Sequence, residues 1–577
     1  IKKNKILKTY KPSHQFWRTK FFDKCRINYY ELISRNNTLD LAIQFIGENG
    51  YQENINYKDL NLKVNSLSNY FKSLNVRSGD VIAGYLPNIP DTIISFLAAS
   101  KIGAVWSSCS SDFGFQAVVD RFSQLKPKIL LIGDYYYYNG KKYDYSKHTV
   151  KIKKALNNPI IIRTSYPSNS QSPLKKIYKN KKFNHQSPIS QLDFNHPLYV
   201  LYSSGTTGLP KCITHGHGGS LLQHLKELSL HTNVKKTDKM FFLTTCGWMM
   251  WNWTVSNLLL GSSIVLYDGS PFYPKVDRLI DLTQKSKATM LGAGAKIYEN
   301  IQNNYKSKKI NILKKLKCFI STGSPLSPET FKFINKKLNS KSFIHSVSGG
   351  TDIVSCFMLG VPILPVYAGE IQGPGLGMNI DIFNEKGKST KSTGELVCKT
   401  PFPSKPVYFW NDKNFSKYKS AYFNKFKNIW SHGDYVKKTV NGGYIIYGRS
   451  DATLNPGGVR IGTGEIYNSL QKFNWISDCL ATGFITDNDE KIILFLKLTL
   501  TKRPSNFEET IKKHIKSTLS PRHVPWRTYA IKDIPRTKSG KNSEILVKKI
   551  INNDKVQNLG ALANPESVQE YKSLKIK

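Results

Sequence analysis

Residues 202–219 read YSSGTTGLPKCITHGHGG, and the apolar run Leu198-Tyr199-Val200-Leu201-Tyr202 leads directly into them. An apolar run bounded by Ser and Gly reads as a strand that delivers a glycine-rich loop. Ser203, Ser204, Thr206 and Thr207 offer hydroxyls, Gly205 and Gly208 permit conformations that expose backbone N–H groups, and Lys211 adds a cation. That combination suits phosphate oxygens. The Walker loop needs a glycine, four residues and then Gly-Lys-Ser/Thr, so that its lysine opens a helix beneath the phosphates. Here Leu209 and Pro210 separate Gly208 from Lys211, which excludes the Walker mode. On the loop alone, an ordinary Ser/Gly turn between strands is the competing reading.

Outward from the loop, short apolar runs alternate with polar or Gly-rich loops. They lie at Gly103 to Trp106, Ile129 to Ile132, Ile264 to Tyr267, Ala288 to Leu291 and Phe319 to Ser321, with an apolar helical stretch at Asp91 to Ser100. This rhythm predicts α/β layers whose strands are buried on both faces. Asn157 to Pro188 and Thr400 to Lys427 are rich in loop-forming residues and read as surface excursions. After Gly448 the texture changes, GRSDATLNPGG forming a turn-rich joint, so the main domain boundary is expected at about residue 450.

A chain of 577 residues is long enough for at least two cores, and its 40% apolar and 12% aromatic content is that of a globular protein. No stretch approaches the roughly 18 apolar residues of a membrane span, so a soluble protein is expected. The formal charge of +44 raises nucleic acid or a membrane surface as partners. The lysines are scattered among Asn and Ile along the whole chain, however, which reads as a solvated surface with no nucleic-acid partner. The eight cysteines show no CxxC pair or metal-like clustering, which points to a reducing, cytoplasmic compartment. The chain begins with Ile, and no signal peptide with an apolar core is visible.

The phosphate loop resembles that of the adenylate-forming superfamily: acyl-CoA synthetases, peptide synthetase adenylation domains and luciferases. Further resemblances follow in the same order: GSPLSP at 323–328, GGTDI at 349–353, WSHGDY at 430–435, GRSDATLNPGGVRIGTGEIY at 448–467 and PRTKSGK at 535–541. HGHGG at 215–219, TTCGWMMWNW at 244–253, LYDGSPFYP at 266–274, SGGTDIVSCF at 348–357 and LPVYAGEIQGPGLGM at 364–378 narrow the resemblance to the acetoacetyl-CoA synthetase family. Members of that family carry a longer N-terminal region, so the chain is expected to be shortened at its front. The resemblance implies a large N-terminal AMP-binding domain of layered α/β subdomains, residues 1–450. A small mobile α+β domain, residues 451–577, would rotate about a hinge at Asp451.

It also implies two half-reactions. Acetoacetate attacks the α-phosphate of ATP, with Mg²⁺ on the phosphates, to give an acyl-adenylate and pyrophosphate; the thiol of coenzyme A then displaces AMP. A ligase for another short 3-oxo or branched acid is the alternative within the class, and a catalytically silent nucleotide- or RNA-binding relative the alternative outside it. The resemblance gives Lys541 the task of bridging the acyl carboxylate and the α-phosphate, for which a mobile point charge on a long stem is suited. It gives Asp434 the ribose hydroxyls, Arg449 a second ribose contact and Arg460 a phosphate-side contact, with surface salt bridging the plainer reading of each arginine. The Thr351 hydroxyl would meet the α-phosphate and Asp352 would help hold Mg²⁺; many superfamily members have Glu there, and the shorter Asp suits a water-mediated contact. Gly323, Ser324 and Pro325 would line the adenine.

For the acid, the resemblance points to Gly349 and Gly350. Acetyl-CoA synthetases carry a Trp at the position of Gly349, so its absence is expected to open the pocket for a longer acid. Trp248, Met249, Met250 and Thr322 would form the remaining wall, though Trp and Met there also suit plain core. Lys141, Gly458 and Lys516 are expected near coenzyme A. His215 and His217 have no third ligand nearby in sequence, so they shape the loop or approach the substrate rather than bind metal.

Overall fold

The computed structural model describes residues 10–576 apart from 12, 170, 204–208, 307–308, 455, 457–460, 487–488, 500–504, 539, 557–558 and 575. Two seven-stranded sheets form its largest layers. In the first, Ile160–Arg163, Ile129–Ile132, Val81–Leu86, Val105–Ser110 and Pro197–Ser203 run parallel in that spatial order, followed by antiparallel Lys211–Gly216 and then Tyr408–Phe409. In the second, Phe343–Ser346, Cys318–Thr322, Met290–Gly294, Lys239–Phe242, Ser263–Asp268 and Leu41–Gly47 are parallel, and Gln52–Asn56 closes the edge antiparallel.

The helix Pro90–Lys101 lies in the core between these sheets. Proline in its first turn fixes the entry, Asp91 faces the positive end of the helix dipole, and Lys101 stands in the last turn. Every one of its residues is buried, and its polar ones are bonded: Thr92 and Ser95 to backbone carbonyls, Asp91 to Thr164 and Lys101 to Asn65. Ile82 and Trp106 from the first sheet, Ile93 and Phe96 from the helix, and Ile43 and Ile264 from the second sheet share one core. Such a buried parallel sheet needs continuous apolar strands, as in Ile129–Ile132.

Both stretches expected to be surface excursions contain ordered, buried structure. Residues 157–188 include the strand Ile160–Arg163 and the helix Pro173–Lys179, whose Leu174 joins the central core. Residues 400–427 include the helix Ser416–Tyr422, and Phe402, Tyr418 and Tyr422 belong to an aromatic core with Phe16, Phe357 and Trp430. These elements are short and borrow their apolar partners from distant segments, so local composition hides them.

That aromatic core underlies a four-stranded antiparallel sheet, Ile380–Phe383, Gly394–Cys398, Trp430–Lys438 and Tyr444–Arg449. Beyond it, Leu454, Ile461 and Ile466 open a separate set of cores around the sheet Ile476–Ile485, Glu490–Leu498 and Arg527–Ile531. Helices Thr463–Leu470, Phe507–Thr518 and Glu544–Ile551 contribute to these cores. Among the described residues no helix is long and apolar enough to cross a membrane.

Candidate active site

A cavity of about 370 Å³ opens where the two portions of the chain meet. Trp248, Met249, Met250, Thr322, Gly323, Ser324, Pro325, Gly349, Gly350, Thr351, Asp434 and Arg449 line it from the N-terminal portion, and Lys541 from the C-terminal portion. Thirteen residues singled out in the sequence therefore share one wall.

Asp434 and Arg449 are register partners on adjacent strands, and the guanidinium Nη1 donates to the Asp434 carboxylate at 3.2 Å and to the His432 carbonyl at 3.0 Å. Gly433 makes this possible. Its φ of +84° is in the left-handed region, and a Cβ there would stand 2.3 Å from Arg449 Nη2. The Gly433 N–H donates to Glu395 at 2.7 Å, and that buried carboxylate is also paired with Lys425.

Thr351 begins a single turn, Thr351–Ile353, that ends on Val354 at φ +48°. A β-branched residue in that region is strained, and such strain persists only when surroundings over-determine it. Two buried histidines do so: His215 Nε2 donates to the Thr351 carbonyl at 2.9 Å and His224 Nε2 to the Val354 carbonyl at 2.7 Å. Burial pushes the two imidazoles down to about 3 and about 4, so both are neutral at pH 7. His215 thus shapes the site, while His217 accepts from the Tyr29 N–H through Nδ1 and pins the start of the helix Tyr29–Ser34.

The Tyr422 hydroxyl donates to Asp352 Oδ1, and its ring stacks on Trp430 with centroids 3.7 Å apart. Burial alone would raise the Asp352 pKa, but His432, the Tyr422 hydroxyl, Lys211 and Arg449 together hold it below the usual carboxylate value. Lys541 keeps exposed surface, yet enclosure by surrounding protein is the largest influence and lowers its ammonium from the ordinary lysine value. Asp434 pulls it back up, Arg449 lowers it and Asp352 raises it.

The hairpin strands Pro197–Ser203 and Lys211–Gly216 carry the opening loop, and Ser203 pairs with Lys211 at their ends. Ser204, Gly205, Thr206, Thr207 and Gly208 lie outside the described residues, as do Gly458 and Arg460. Lys141 is exposed on a tyrosine-rich hairpin and Lys516 exposed on the helix Phe507–Thr518; neither lines the cavity, nor does Asp451.

Gly349 lines the cavity for a different reason from the expected one. Its strand, Ser348–Gly350, presses against Ser355–Leu359, and a Cβ would lie 1.8 Å from the Ser355 carbonyl oxygen and 2.6 Å from Cys356 Cα. A side chain there would run into backbone, so the glycine serves close strand approach rather than an opened pocket. Sequence reasoning also missed Lys296, Glu299, Tyr467, Asp478, Arg536 and Glu544 on the wall. Only Tyr467 and Arg536 lay within recognised motifs; the others are ordinary charged residues brought in by folding.

Residues 37–408 match the family described as AMP-binding enzyme. The chain is 42% identical to an acetoacetyl-coenzyme A synthetase of Rhizobium meliloti (strain 1021), over 96% of the chain and 87% of the relative. It is 41% identical to an acetoacetyl-CoA synthetase of Xenopus tropicalis, over 96% and 86%. The solved acetoacetyl-CoA synthetase of Streptomyces lividans superposes with a TM-score of 0.88 at 34% identity, covering 96% of this chain and 87% of that one. The anthranilate CoA ligase AuaEII, solved with anthranoyl-AMP, shares the fold at a TM-score of 0.77 and 17% identity. The fold is that of the AMP-binding enzymes, and the chain is an AMP-forming acid–thiol ligase with layered α/β sheets. Within that class the chain belongs to the acetoacetyl-CoA synthetase family.

Proposed function

We propose that the chain joins acetoacetate to coenzyme A at the cost of ATP, releasing AMP and pyrophosphate, and that the cavity at the junction is where both bonds form. The observation that carries this reading is Lys541 lining the same cavity as Thr351, Asp434 and Arg449. In the first half-reaction a carboxylate oxygen of acetoacetate bonds to the α-phosphorus and the bond to pyrophosphate breaks. Lys541 and the Thr351 hydroxyl meet the negative charge that builds on the phosphoryl oxygens, a preorganised arrangement that does not reorganise during the step. Asp434 accepts from the ribose hydroxyls, oriented by Arg449, and Gly323 to Pro325 flank the adenine. In the second half-reaction the thiolate of coenzyme A attacks the acyl carbon and AMP leaves.

Mg²⁺ fits this site through Asp352, whose pKa is held low and whose Oδ2 lies beside cavity-lining Gly350, while Oδ1 is taken by Tyr422. Mg²⁺ typically takes one or two carboxylates with substrate phosphates and waters, so a single carboxylate suffices. Bound there, the ion would neutralise phosphate charge. Among the described residues no cluster of three or more His, Cys, Asp or Glu offers a protein-only metal site.

Ser203, Ser204, Gly205, Thr206, Thr207, Gly208 and Lys211 are proposed to hold the pyrophosphate half of ATP, and Arg460 a phosphate. Lys211 supports this by lying within electrostatic reach of Asp352. Lys141, Gly458 and Lys516 are proposed toward coenzyme A, with rotation of residues 451–577 about Asp451 between half-reactions. A cytoplasmic setting suits eight unpaired cysteines.

The test measures AMP formation with acetate, acetoacetate and butyrate, then repeats it on Lys541→Ala. Acetoacetate should be turned over fastest. Lys541→Ala should lose roughly 100-fold or more of adenylate formation, the scale of removing one charge-stabilising group. It should keep thioester formation from supplied acetoacetyl-adenylate. Faster use of acetate would overturn the substrate, and equal loss in both halves the role of Lys541.

A further inference from the structure

We infer that Lys296 and Lys538 clamp the hairpin carrying Lys541 between the two large sheets, with Arg536 and Asp478 as the positioning pair at its base. The inference rests on the reading of Lys541 as the adenylation lysine.

Thr537 on one side of the hairpin is tied to Gly540 and Lys541 on the other. Thr537 N–H donates to the Lys541 carbonyl at 2.9 Å, Gly540 N–H to the Thr537 carbonyl at 2.8 Å, and Lys541 N–H to Thr537 Oγ1 at 3.1 Å. Its placement depends on the two ends. At the base, Arg536 Nη1 donates to the Gly540 carbonyl at 2.8 Å, one residue before Lys541. Its Nε donates to Asp478 Oδ2 at 3.1 Å and its Nη2 reaches the same oxygen, so one guanidinium ties the hairpin to the strand Ile476–Ile485. Both side chains are less than a fifth exposed, at 18% and 15%, where a charge-assisted contact is strong.

From this base the contact crosses to the N-terminal portion. Lys296, on the helix Ala295–Asn304 that follows a strand of the second sheet, lies 4.0 Å from Asp478 Oδ1 and 2.7 Å from Glu299. At the tip, Lys538 Nζ donates to the Asp112 carbonyl at 3.2 Å, lies 3.6 Å from its carboxylate, and sits 6.0 Å from the Phe113 ring centroid. Asp112 follows the first-sheet strand Val105–Ser110. The hairpin is therefore docked on the first sheet at its tip and on a second-sheet helix at its base.

The two crossing contacts are partly exposed ion pairs, individually weak enough to break and re-form. Together they orient a long flexible side chain, and misplacing a reacting group by an ångström costs large factors in rate. Lys541 is needed only for making the adenylate, so weakening the clamp should slow that half alone.

The experiment reads ATP–pyrophosphate exchange with acetoacetate, and thioester formation from supplied acetoacetyl-adenylate and coenzyme A. Lys538→Asp and Lys296→Met should each lower exchange by about tenfold, with thioester formation intact as the control for folding. Adding Asp112→Lys to Lys538→Asp should recover most of the exchange, because the reversed pair restores the attraction. Undiminished exchange in either single variant, equal loss in both half-reactions, or no recovery in the charge swap overturns the clamp. Lys541→Ala is measured beside them. If it retains exchange, the reading of Lys541 falls and the clamp with it; if it alone loses exchange, only the clamp falls.

Discussion

At Gly349 the missing side chain matters because of what would meet it, the Ser355 carbonyl oxygen 1.8 Å from an added Cβ. Neither that oxygen nor Cys356 Cα can rotate away as a side chain would, so any larger residue forces the strand Ser348–Gly350 off its partner. Gly349→Ala should destabilise the protein by about 1–3 kcal/mol, the usual cost of overpacking. It should reduce kcat/KM for acetoacetate and acetate together, because it displaces Thr351 two residues on. Melting temperature and paired kinetics check this, and a selective gain for acetate would restore the reading of a pocket opened by glycine. By contrast, Lys541, Asp434 and Arg449 were legible by residue type within their motifs, since charge is carried by the residue itself. Glu395, which holds Gly433 beside Asp434, and Asp478, which holds Arg536 at the base of the Lys541 hairpin, left no such mark because they act through contacts made across long sequence separations.

Two elements meet at the strained turn of Thr351. The strand Lys211–Gly216, paired antiparallel with Pro197–Ser203, brings His215 to the Thr351 carbonyl, while the helix His217–Lys226 brings His224 to that of Val354. One continuous segment therefore anchors both ends of the turn. His215→Ala removes the shorter of the two donors to the part-buried Thr351 carbonyl and leaves only the Val354 N–H at 3.4 Å, which costs about 1 kcal/mol. Adenylate formation should fall by roughly tenfold with little change in the KM for coenzyme A, since the turn loses its anchor while the remaining cavity stands. Exchange kinetics and thermal unfolding on the same variant check it. At this scale the strand Ile129–Ile132 was readable to the residue, because a strand buried on both faces must be apolar throughout. The elements inside 157–188 and 400–427 were not, being too short to hold without tertiary partners.

Across the whole molecule, buried neutral histidines tie stability to pH. Burial pushes His215 down to about 3 and His224 and His345 to about 4. Below about 6.5 the unfolded chain takes up protons at these sites that the folded chain does not, so stability rises with pH up to that point and is lost as pH falls from 6.5 toward 4. Each can contribute up to about 1.4 kcal/mol per pH unit in that window. Unfolding measured between pH 7 and 4 should show a steep fall with proton uptake, and His345→Phe should flatten it; a flat profile in the parent protein would contradict neutral burial. The net charge of +44 acts at the same scale, as a field that draws in polyanions such as ATP and weakens with salt.

The sequence by itself determined the α/β class and the family and singled out the charged motif residues, because these depend on residue type and short-range order. Strand periodicity, loop glycines and charged motif residues are local properties that folding does not alter. The tertiary structure alone decided that Lys541 faces Thr351 and Asp434 across one cavity, that two buried histidines hold the turn at Val354, and that Gly349 answers to a backbone carbonyl. Each of these is a distance between segments far apart in the chain, fixed only when the sheets, the helix between them and the C-terminal cores have packed. YSSGTTGLPK stood out by its own composition, whereas Thr351, Asp434 and Lys541 had to be brought to one cavity by folding.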